Sequence, residues 1–448
     1  MTRPATIFIE TYGCQMNEYD SELVKSICGK EGYGVAGSAA QADVILLNTC
    51  AVRERAHLKV FGRLQMLRHE KASRGDGNRL TIGVLGCMAQ NLKDDLRDGY
   101  DHIDFIAGPD SYRRLPDLIA AARKDGGGPV SDIRLSRTET YSGVDPVRSG
   151  GINAWLAVMR GCDNMCTFCV VPFTRGRERS REPEGVVDEA RALAREGYRQ
   201  VTLLGQNVNS YRHGDVAFAD LIRRVADVPG IERVRFTSPH PKDFPRDLIS
   251  AVADHPNICG HIHLPLQAGN DRVLDLMRRT YTNESFRDLV AEMRETIPDL
   301  GLTTDVIVGF PTETDEEYED TRRLMEDIRF DSAFIFKYSE RKGTYAQRKL
   351  ADDVPSVVKT DRIVELIDLQ QKITNEINAS LVGTDHLVLT EEFFDGDPTR
   401  LIGRTDNFKT TVVPAIGVQP GDIVGVTIVD VRGATLFGGP VRRVANAT

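Results

Sequence analysis

Three cysteines within eight residues constrain this chain more than any other feature of its sequence. Segment 162–169 reads Cys-Asp-Asn-Met-Cys-Thr-Phe-Cys. It follows the apolar run 154–159, which predicts a buried strand, and Gly161, which favours a loop. A structural zinc site would need a fourth ligand at a suitable spacing, and none follows. Two alternatives are a stripe of cysteines on one face of a helix and three unconnected core cysteines. Neither fits a segment that directly follows a strand and a glycine. Three thiolates on one loop can instead hold an iron–sulfur cluster and leave one iron open for chemistry.

The length of 448 residues predicts two to three domains. Apolar content of 41% and charged content of 27% are ordinary for a globular protein. We expect no membrane span and no signal peptide, hence a cytoplasmic location. Eight cysteines then favour metal or redox use over disulfides. The net charge of −9 is weak evidence against a nucleic-acid partner, so any RNA contacts would need local basic strips.

Residues 1–125 alternate strand-like and helical segments, which predicts a parallel α/β domain. Ligands of such sheets bind beyond the carboxyl ends of the strands. Three predicted strands end there in Cys14, Cys50 and Cys87, so these thiols should share one edge of the sheet. Each could be a small buried core residue. Three in three strands favour a second three-thiolate cluster. Cys28 and Cys259 lack this context and are expected in the core.

The glycine-rich and polar stretch 126–150 predicts a linker to the central domain, 151–382. Six strand-then-helix units follow in this domain and predict a partial (βα)6 barrel with its site at the carboxyl-terminal mouth of the strands. The predicted strands are 154–159, 201–204, 234–236, 261–266, 303–308 and 333–338.

Polar residues follow several of these strands. Gln206, Asn207, Gln267 and Glu313 are candidates for holding a zwitterionic nucleoside. Phe168, within the cysteine loop, is a fifth candidate for cofactor binding. Plain turn chemistry is the alternative reading of these positions.

Two regions are candidates for RNA contacts. Arg175 and Arg177 belong to an arginine-rich run beside the cysteine loop, which is either a solvated charge run or a phosphate-binding strip. Residues 383–448 predict a small antiparallel β-barrel, an architecture often used for RNA. From residue 384 onward it has six Lys or Arg and eight Asp or Glu, so charge alone does not identify it. Arg404 and Lys409 could form part of a basic edge, and Phe408 could stack on a base.

Four segments carry a resemblance to a known family. They are Thr-Tyr-Gly-Cys-Gln-Met-Asn-Glu-Tyr-Asp at 11–20, Cys-Thr-Phe-Cys-Val-Val-Pro-Phe-Thr-Arg-Gly at 166–176, Leu-Gly-Gln-Asn-Val-Asn-Ser-Tyr at 204–211, and Gly-Arg-Thr-Asp at 403–406. The chain resembles MiaB-type tRNA methylthiotransferases of the radical S-adenosylmethionine (SAM) superfamily over nearly its whole length. The four polar candidates at the strand ends would then hold SAM or the substrate base. RimO-type relatives, which modify an aspartate of a ribosomal protein, typically have Gly-Cys-Pro-Lys-Asn at the first cysteine, where this chain has Gly-Cys-Gln-Met-Asn.

The resemblance implies an N-terminal methylthiotransferase domain, a radical SAM domain and a TRAM domain, with two 4Fe-4S clusters. Cys14, Cys50 and Cys87 match the ligands of the auxiliary cluster. The catalytic cluster ligands would be Cys162, Cys166 and Cys169.

The activity implied is methylthiolation of C2 of N6-isopentenyladenosine next to the anticodon of tRNA, with SAM as both methyl donor and radical source. The implied partners are a tRNA anticodon stem-loop and an electron-donating reductase such as flavodoxin or ferredoxin, with the chain as a monomer away from membranes. The alternatives are a methylthiotransferase for threonylcarbamoyl-adenosine in tRNA, one for a ribosomal aspartate, and an iron–sulfur RNA-binding sensor without turnover.

Overall fold

A six-stranded, all-parallel sheet forms the N-terminal domain in a computed structural model that describes residues 5–52, 54–74, 79–124 and 130–443. Its strands, in the spatial order β2-β1-β3-β4-β5-β6, are β1 (Thr6–Tyr12), β2 (Gly34–Val35), β3 (Val44–Thr49), β4 (Thr81–Gly86), β5 (Phe105–Ala107) and β6 (Val130–Asp132). Its helices are α1 (Gln15–Lys30), α2 (Glu54–Ser73), α3 (Cys87–Asn91), α4 (Lys93–Gly99) and α5 (Leu115–Ala122). The predicted parallel α/β domain is confirmed.

Helices cover both faces of this sheet, as the fully apolar strands β3 and β4 require. Helices α1 and α5 pack on one face, and α2 and α4 pack on the other. Strand β6 lies inside the segment predicted as a linker and instead extends the sheet beside β5. The glycine triplet of that segment, 126–128, lies outside the described residues.

Two three-stranded parallel sheets form the central domain, in the orders β13-β10-β7 and β14-β15-β16. A single bridge, Val234 to Ile258, joins them, and no pairing of β7 with β16 occurs within the described residues. The result is a barrel open on one side, which confirms the predicted partial barrel. The strands are β7 (Asn153–Ala157), β8 (Met159–Arg160), β9 (Arg179–Ser180), β10 (Gln200–Leu204), β11 (Arg212–His213), β12 (Val216–Ala217), β13 (Arg233–Phe236), β14 (His261–His263), β15 (Gly301–Val308) and β16 (Ser332–Lys337).

The helices of the central domain are α6 (Val171–Thr174), α7 (Pro183–Arg195), α8 (Phe218–Ala226), α9 (Arg246–Asp254), α10 (Asp271–Leu276), α11 (Asn283–Thr296), α12 (Asp315–Ile328), α13 (Tyr345–Lys349) and α14 (Ser356–Ser380). All except the short α6, α10 and α13 pack against the core of the two sheets. The last and longest of them, α14, packs behind β16 and leads into the C-terminal domain. No helix in the described part of the chain is long and apolar enough to cross a membrane.

The C-terminal domain is a small closed barrel. Its strands are β17 (Asp385–Phe394), β18 (Asp397–Thr405), β19 (Thr410–Pro414), β20 (Ile423–Arg432), β21 (Thr435–Gly438) and β22 (Arg442–Arg443). The pairing runs β17-β18-β19-β21-β20 and returns from β20 to β17, which closes the barrel, while β22 adds to β20. All pairs are antiparallel except β19 with β21, which run parallel.

The loop between β18 and β19 docks this barrel onto the amino-terminal end of the central barrel. The Arg235 guanidinium donates to the carbonyls of Thr405 and Asp406 at 2.8 Å each. The backbone N–H of Gly260 donates to the Asp406 carboxylate at 2.6 Å. The C-terminal domain therefore closes the end of the central barrel opposite its mouth.

Candidate active site between the two cysteine triads

Cys14, Cys50 and Cys87, which we call the N-terminal triad, converge at one edge of the N-terminal sheet. The last residues of β1, β3 and β4 are level with one another in the register, and each cysteine follows within two residues. The thiols of Cys14 and Cys50 are hydrogen-bonded, and Cys87 is within electrostatic reach of both. Sequence reasoning predicted this shared edge, and the parallel register brings it about.

Glycine and asparagine shape the N-terminal triad. A Cβ at Gly13 would lie 2.8 Å from that of Cys50, so only glycine lets the chain pass. The Asn17 side chain accepts from the Cys14 N–H at 3.3 Å and donates to the carbonyl of Thr49 at 3.2 Å, which ties two of the strand ends together.

Cys162, Cys166 and Cys169, the central triad, lie on the loop after β8. The loop starts at Gly161, which has φ of 81° and whose N–H donates to Oε1 of Gln206 at 2.5 Å. A Cβ at Gly161 would lie 2.0 Å from the Arg177 carbonyl oxygen. Farther along, the backbone N–H of Thr167 donates to the Met277 carbonyl at 3.0 Å. The loop is therefore fixed from two sides by the barrel.

The two triads face one another. Cys87 packs in a small buried cluster with Ala51 and Val170, and Val170 directly follows Cys169. Helix α3, which begins at Cys87, contacts α6, which follows the central triad. Cys169 and Cys87 are within electrostatic reach of each other. The mouth of the barrel and the edge of the N-terminal sheet thus form one site.

Burial controls the acidity of two thiols of the central triad. It raises the pKa of Cys162 and of Cys169 to about 12, so both are neutral thiols without a bound cation. Cys14 differs, because the hydrogen bond from the Cys50 thiol lowers its pKa to about 6, while the same bond raises the pKa of Cys50.

Buried arginines beside the triads lack a matching number of carboxylates. Asp20 accepts from Arg160 at 2.6 Å and from Arg175 at 2.8 Å, so two buried guanidiniums share one carboxylate. Nε of Arg175 also donates to the Cys87 sulfur at 3.1 Å. Beside the central triad, Arg279 donates to the Cys166 sulfur at 3.5 Å. None of the ion pairs among the described residues supplies Arg279 with a carboxylate.

This excess positive charge fits an anionic iron–sulfur cluster at each triad. Thiolates bound to iron would supply the missing negative charge, and buried charges need such compensation. The described residues contain no group of three His, Cys, Asp or Glu side chains arranged for a single metal ion. Spread-out thiols suit a cluster in which each cysteine binds its own iron.

The predicted SAM contacts divide into two groups. Gln206 and Glu313 each use an oxygen within the fold: Oε1 of Gln206 accepts from the Gly161 N–H, and Oε2 of Glu313 accepts from the Gly309 N–H at 2.6 Å and from Arg362 at 2.7 Å. Asn207 keeps a buried Oδ1 without a hydrogen-bond partner among the described residues. Gln267 is buried at the mouth with φ of 69°, a strained conformation of the kind that clusters at binding sites.

Phe168 packs edge-on against Phe310 in the hydrophobic cluster at the mouth. It is part of the wall of the candidate site, and its contact with a cofactor stays a prediction.

Of the predicted RNA contacts, Arg177 alone is largely exposed, with a side chain 70% accessible beside Asp163. Arg175 is buried in the network described above. Arg404 and Phe408 lie in the docking interface at the far end of the barrel. Lys409 is buried there and pairs with Asp331 at 2.5 Å. These three residues therefore lie far from the mouth in the fold.

Sequence reasoning missed Asp20, Arg160 and Arg279. Arg160 stands directly before Gly161 and the cysteine loop, and Asp20 ends the segment 11–20 quoted above, so both had a positional signal. Arg279 had none, because it follows a helix of the barrel and reaches the triad only in three dimensions.

An open six-stranded barrel with three cysteines on the loop after its first strand defines a radical SAM enzyme. Residues 156–325 match the model of the radical SAM superfamily, 380–441 match the TRAM domain, and 6–108 match an uncharacterized protein family, UPF0004. A similar fold occurs in the radical SAM methyltransferase TsrM from Kitasatospora setae, with a TM-score of 0.54 and 15% identity, covering 75% of this chain and 73% of that one.

Relatives similar over nearly the full length identify the family. A tRNA-2-methylthio-N(6)-dimethylallyladenosine synthase of Porphyromonas gingivalis W83 is 47% identical over 438 residues, covering 96% of this chain and 94% of that protein. The synthase of the same name from Prosthecochloris aestuarii is 46% identical, with 96% and 97% covered. This chain belongs to the same family. It is an enzyme that transfers a sulfur-containing group, and the family implies SAM and a 4Fe-4S cluster.

Proposed function

We propose that this enzyme adds a methylthio group to C2 of an N6-isopentenyladenosine beside the anticodon of tRNA, with one 4Fe-4S cluster at each triad. The observation that carries the proposal is the facing arrangement of the two triads across one site. A target base between them would lie next to both the radical source and the sulfur source. Anticodon-loop bases can be splayed out without opening a duplex, so a loop adenosine can enter such a site.

Two aromatic rings support an isopentenylated substrate. Phe334 and Phe336 are 58% and 47% exposed, and they lie on the face of β16 that points away from the helix layer. The neighbouring residues Ala333 and Ile335 pack into the core on the other face. In the register Phe336 lies opposite Ile307, which belongs to the same hydrophobic cluster at the mouth as Phe168. This apolar wall suits a prenyl group.

When bound, the clusters and SAM supply the sulfur atom, the methyl group and the radical that removes hydrogen from the adenine carbon. The chain positions and shields these groups. Gly161 and Gln206 hold the loop of the central triad against the barrel, and Asn207 and Gln267 offer polar atoms at the mouth for the amino-acid or ribose part of SAM. Arg177, exposed beside the loop, is placed for a phosphate of the anticodon stem-loop.

The test is mass spectrometry of nucleosides from anaerobic reactions of cluster-loaded enzyme with SAM, reduced flavodoxin and one of three stem-loops: isopentenylated, threonylcarbamoylated or unmodified. We expect a methylthio group only on the isopentenylated adenosine. Cys169→Ala should abolish cleavage of SAM, whereas Cys87→Ala should keep cleavage and lose the methylthio product. Product on a threonylcarbamoylated stem-loop, or SAM cleavage with no RNA product, would contradict the proposed substrate, and no SAM cleavage would favour an RNA-binding sensor.

A further inference from the structure

We propose that Arg175 and Arg279 each set the reduction potential of one cluster, Arg175 that of the N-terminal triad and Arg279 that of the central triad. The inference rests on the proposed presence of a cluster at both triads. Neither residue is argued to touch the substrate, so both are positioning residues that act through a cysteine sulfur.

Arg175 joins the two domains at the N-terminal triad. It belongs to the central domain, yet its Nε donates to the sulfur of Cys87 at 3.1 Å, and its Nη2 donates to Asp20 at 2.8 Å. Its Nη1 is buried without a hydrogen-bond partner in the described structure. Since Asp20 also pairs with Arg160, one buried positive charge next to Cys87 is left without a carboxylate.

Arg279 has the equivalent place at the central triad. Its Nη1 donates to the sulfur of Cys166 at 3.5 Å, and its Nη2 donates to the carbonyl of Pro265 at 3.2 Å. The guanidinium also lies 5.2 Å from the ring centre of Tyr281. It is buried, and its hydrogen bond to Cys166 brings its positive charge to the central triad.

The direction of the effect follows from electrostatics. One-electron reduction adds a negative charge to a cluster, and a buried cation nearby favours the reduced form because the local dielectric is low. A hydrogen bond to a ligating sulfur acts in the same direction. Each arginine should therefore raise the potential of its own cluster.

The experiment is a redox titration with dithionite, monitored by electron paramagnetic resonance. It uses as backgrounds two variants of the full chain, each of which keeps only one cysteine triad. One background carries alanine at Cys162, Cys166 and Cys169, and the other carries alanine at the N-terminal triad. Arg175→Met, Arg175→Gln and Arg175→Lys, with the same three changes at Arg279, are compared in both. Removing Arg175 leaves Asp20 paired with Arg160, so a neutral ion pair remains in the fold.

We expect both neutral changes at Arg175 to shift the reduction equilibrium of the N-terminal cluster at least tenfold toward the oxidised form, which is 59 mV for one electron. Lysine should reverse part of that shift, because it keeps the charge but lacks the planar guanidinium that binds both Cys87 and Asp20. Changes at Arg279 should shift this cluster much less than changes at Arg175 do, and they should shift the central cluster in the same direction.

An unchanged potential in both neutral variants overturns the inference, and so does an equal shift of both clusters by one arginine. If the neutral variants fail to hold a cluster, Arg175→His and Arg279→His decide: a potential that falls more steeply with pH than that of the parent, as the imidazole loses its charge, supports the inference, and a pH dependence equal to the parent's overturns it. If either parent background yields no 4Fe-4S signal, the proposed pair of clusters is wrong. That outcome is distinct from an unchanged potential, which concerns the arginines alone.

Discussion

The ring of Phe408 stacks on the imidazole of His261, with centroids 4.6 Å apart and planes inclined by 18°. His261 starts β14, so this contact seals the amino-terminal end of the central barrel. Arg235 and Arg404 lie over the same phenyl ring, at 5.0 and 4.3 Å. An aromatic residue that sequence reasoning offered to an RNA base is instead engaged by the barrel.

Phe408→Ala should loosen the docking of the C-terminal domain. Loss of the ring stack and of two cation–π contacts predicts a cost of about 2 kcal/mol for the docked state. Hydrogen exchange should accelerate in residues 260–263 and 406–409, while strand β18 keeps its protection. Phe393→Ala, also in this domain and similarly exposed, is the control. Equal exchange in both variants would show that Phe408 does not hold the interface.

Phe336→Ala should lower the preference for the isopentenylated stem-loop. A partly exposed phenyl ring that covers a prenyl group contributes about 1–2 kcal/mol, which corresponds to roughly 5- to 30-fold in kcat/KM. The variant should bind the unmodified stem-loop as tightly as the wild type does. Phe393→Ala removes a similarly exposed ring from β17 of the C-terminal domain and serves as the control. An unchanged substrate preference in Phe336→Ala would exclude β16 from prenyl recognition.

Gly13→Ala should prevent loading of the cluster at the N-terminal triad. The new methyl group would lie 2.2 Å from Oδ1 of Asn17 and 2.8 Å from the Cβ of Cys50, so both must move. We expect the iron content to fall by half, with the SAM-cleaving cluster retained. Gly62→Ala adds the same methyl group inside α2, where nothing lies within 4 Å, and should stabilise the helix slightly. Full iron content in Gly13→Ala would contradict this reading of the site.

His240 makes stability depend on pH. It is buried, its Nδ1 accepts from the Lys242 N–H at 3.2 Å, and Arg279 and Tyr281 also face it. Burial, helped by the charges of Arg279 and Lys242, lowers its pKa to about 2. As the pH falls below the ordinary value near 6.5, the unfolded chain gains a proton that the folded chain does not, so stability is lost between pH 6.5 and 2.

His240→Asn offers an oxygen in place of Nδ1 and cannot titrate. Between pH 6.5 and 5 the wild type should lose about 1–2 kcal/mol more than this variant in the free energy of urea unfolding. The single tryptophan, Trp155 in β7, reports on the central domain by fluorescence. Parallel pH curves for the two proteins would contradict a buried neutral imidazole.

The cysteine triads could be predicted because each depends on local patterns. The central triad lies within eight residues, and each N-terminal cysteine follows a recognisable strand. The role of Arg175 could not be predicted, because its partner Asp20 is 155 positions away in the sequence. The arginine-rich run 175–181 also has the composition of a solvated surface. Charge in a sequence does not reveal whether a side chain is buried with a partner.

Helix α14 escaped prediction for a related physical reason. Its buried face contains Lys359, Arg362, Gln370 and Asn378 beside the apolar Leu366, so the apolar period of an ordinary surface helix is missing. These polar groups find partners in three dimensions, such as Arg362 with Glu313 at 2.7 Å. The same contact fixes Oε2 of Glu313 within the fold.

Arg177→Ala should weaken binding of the anticodon stem-loop. Arg177 is the exposed arginine of the run beside the central triad, and neutralising one phosphate contact predicts a several-fold loss of affinity and a salt dependence shallower by about one unit of slope. Arg195→Ala, exposed at the end of α7 on the outer helix layer, is the matched control and should bind like the wild type. Fluorescence anisotropy over a range of salt concentrations measures both quantities. Equal affinities and equal slopes for the two variants would show that the stem-loop reaches the site without passing Arg177.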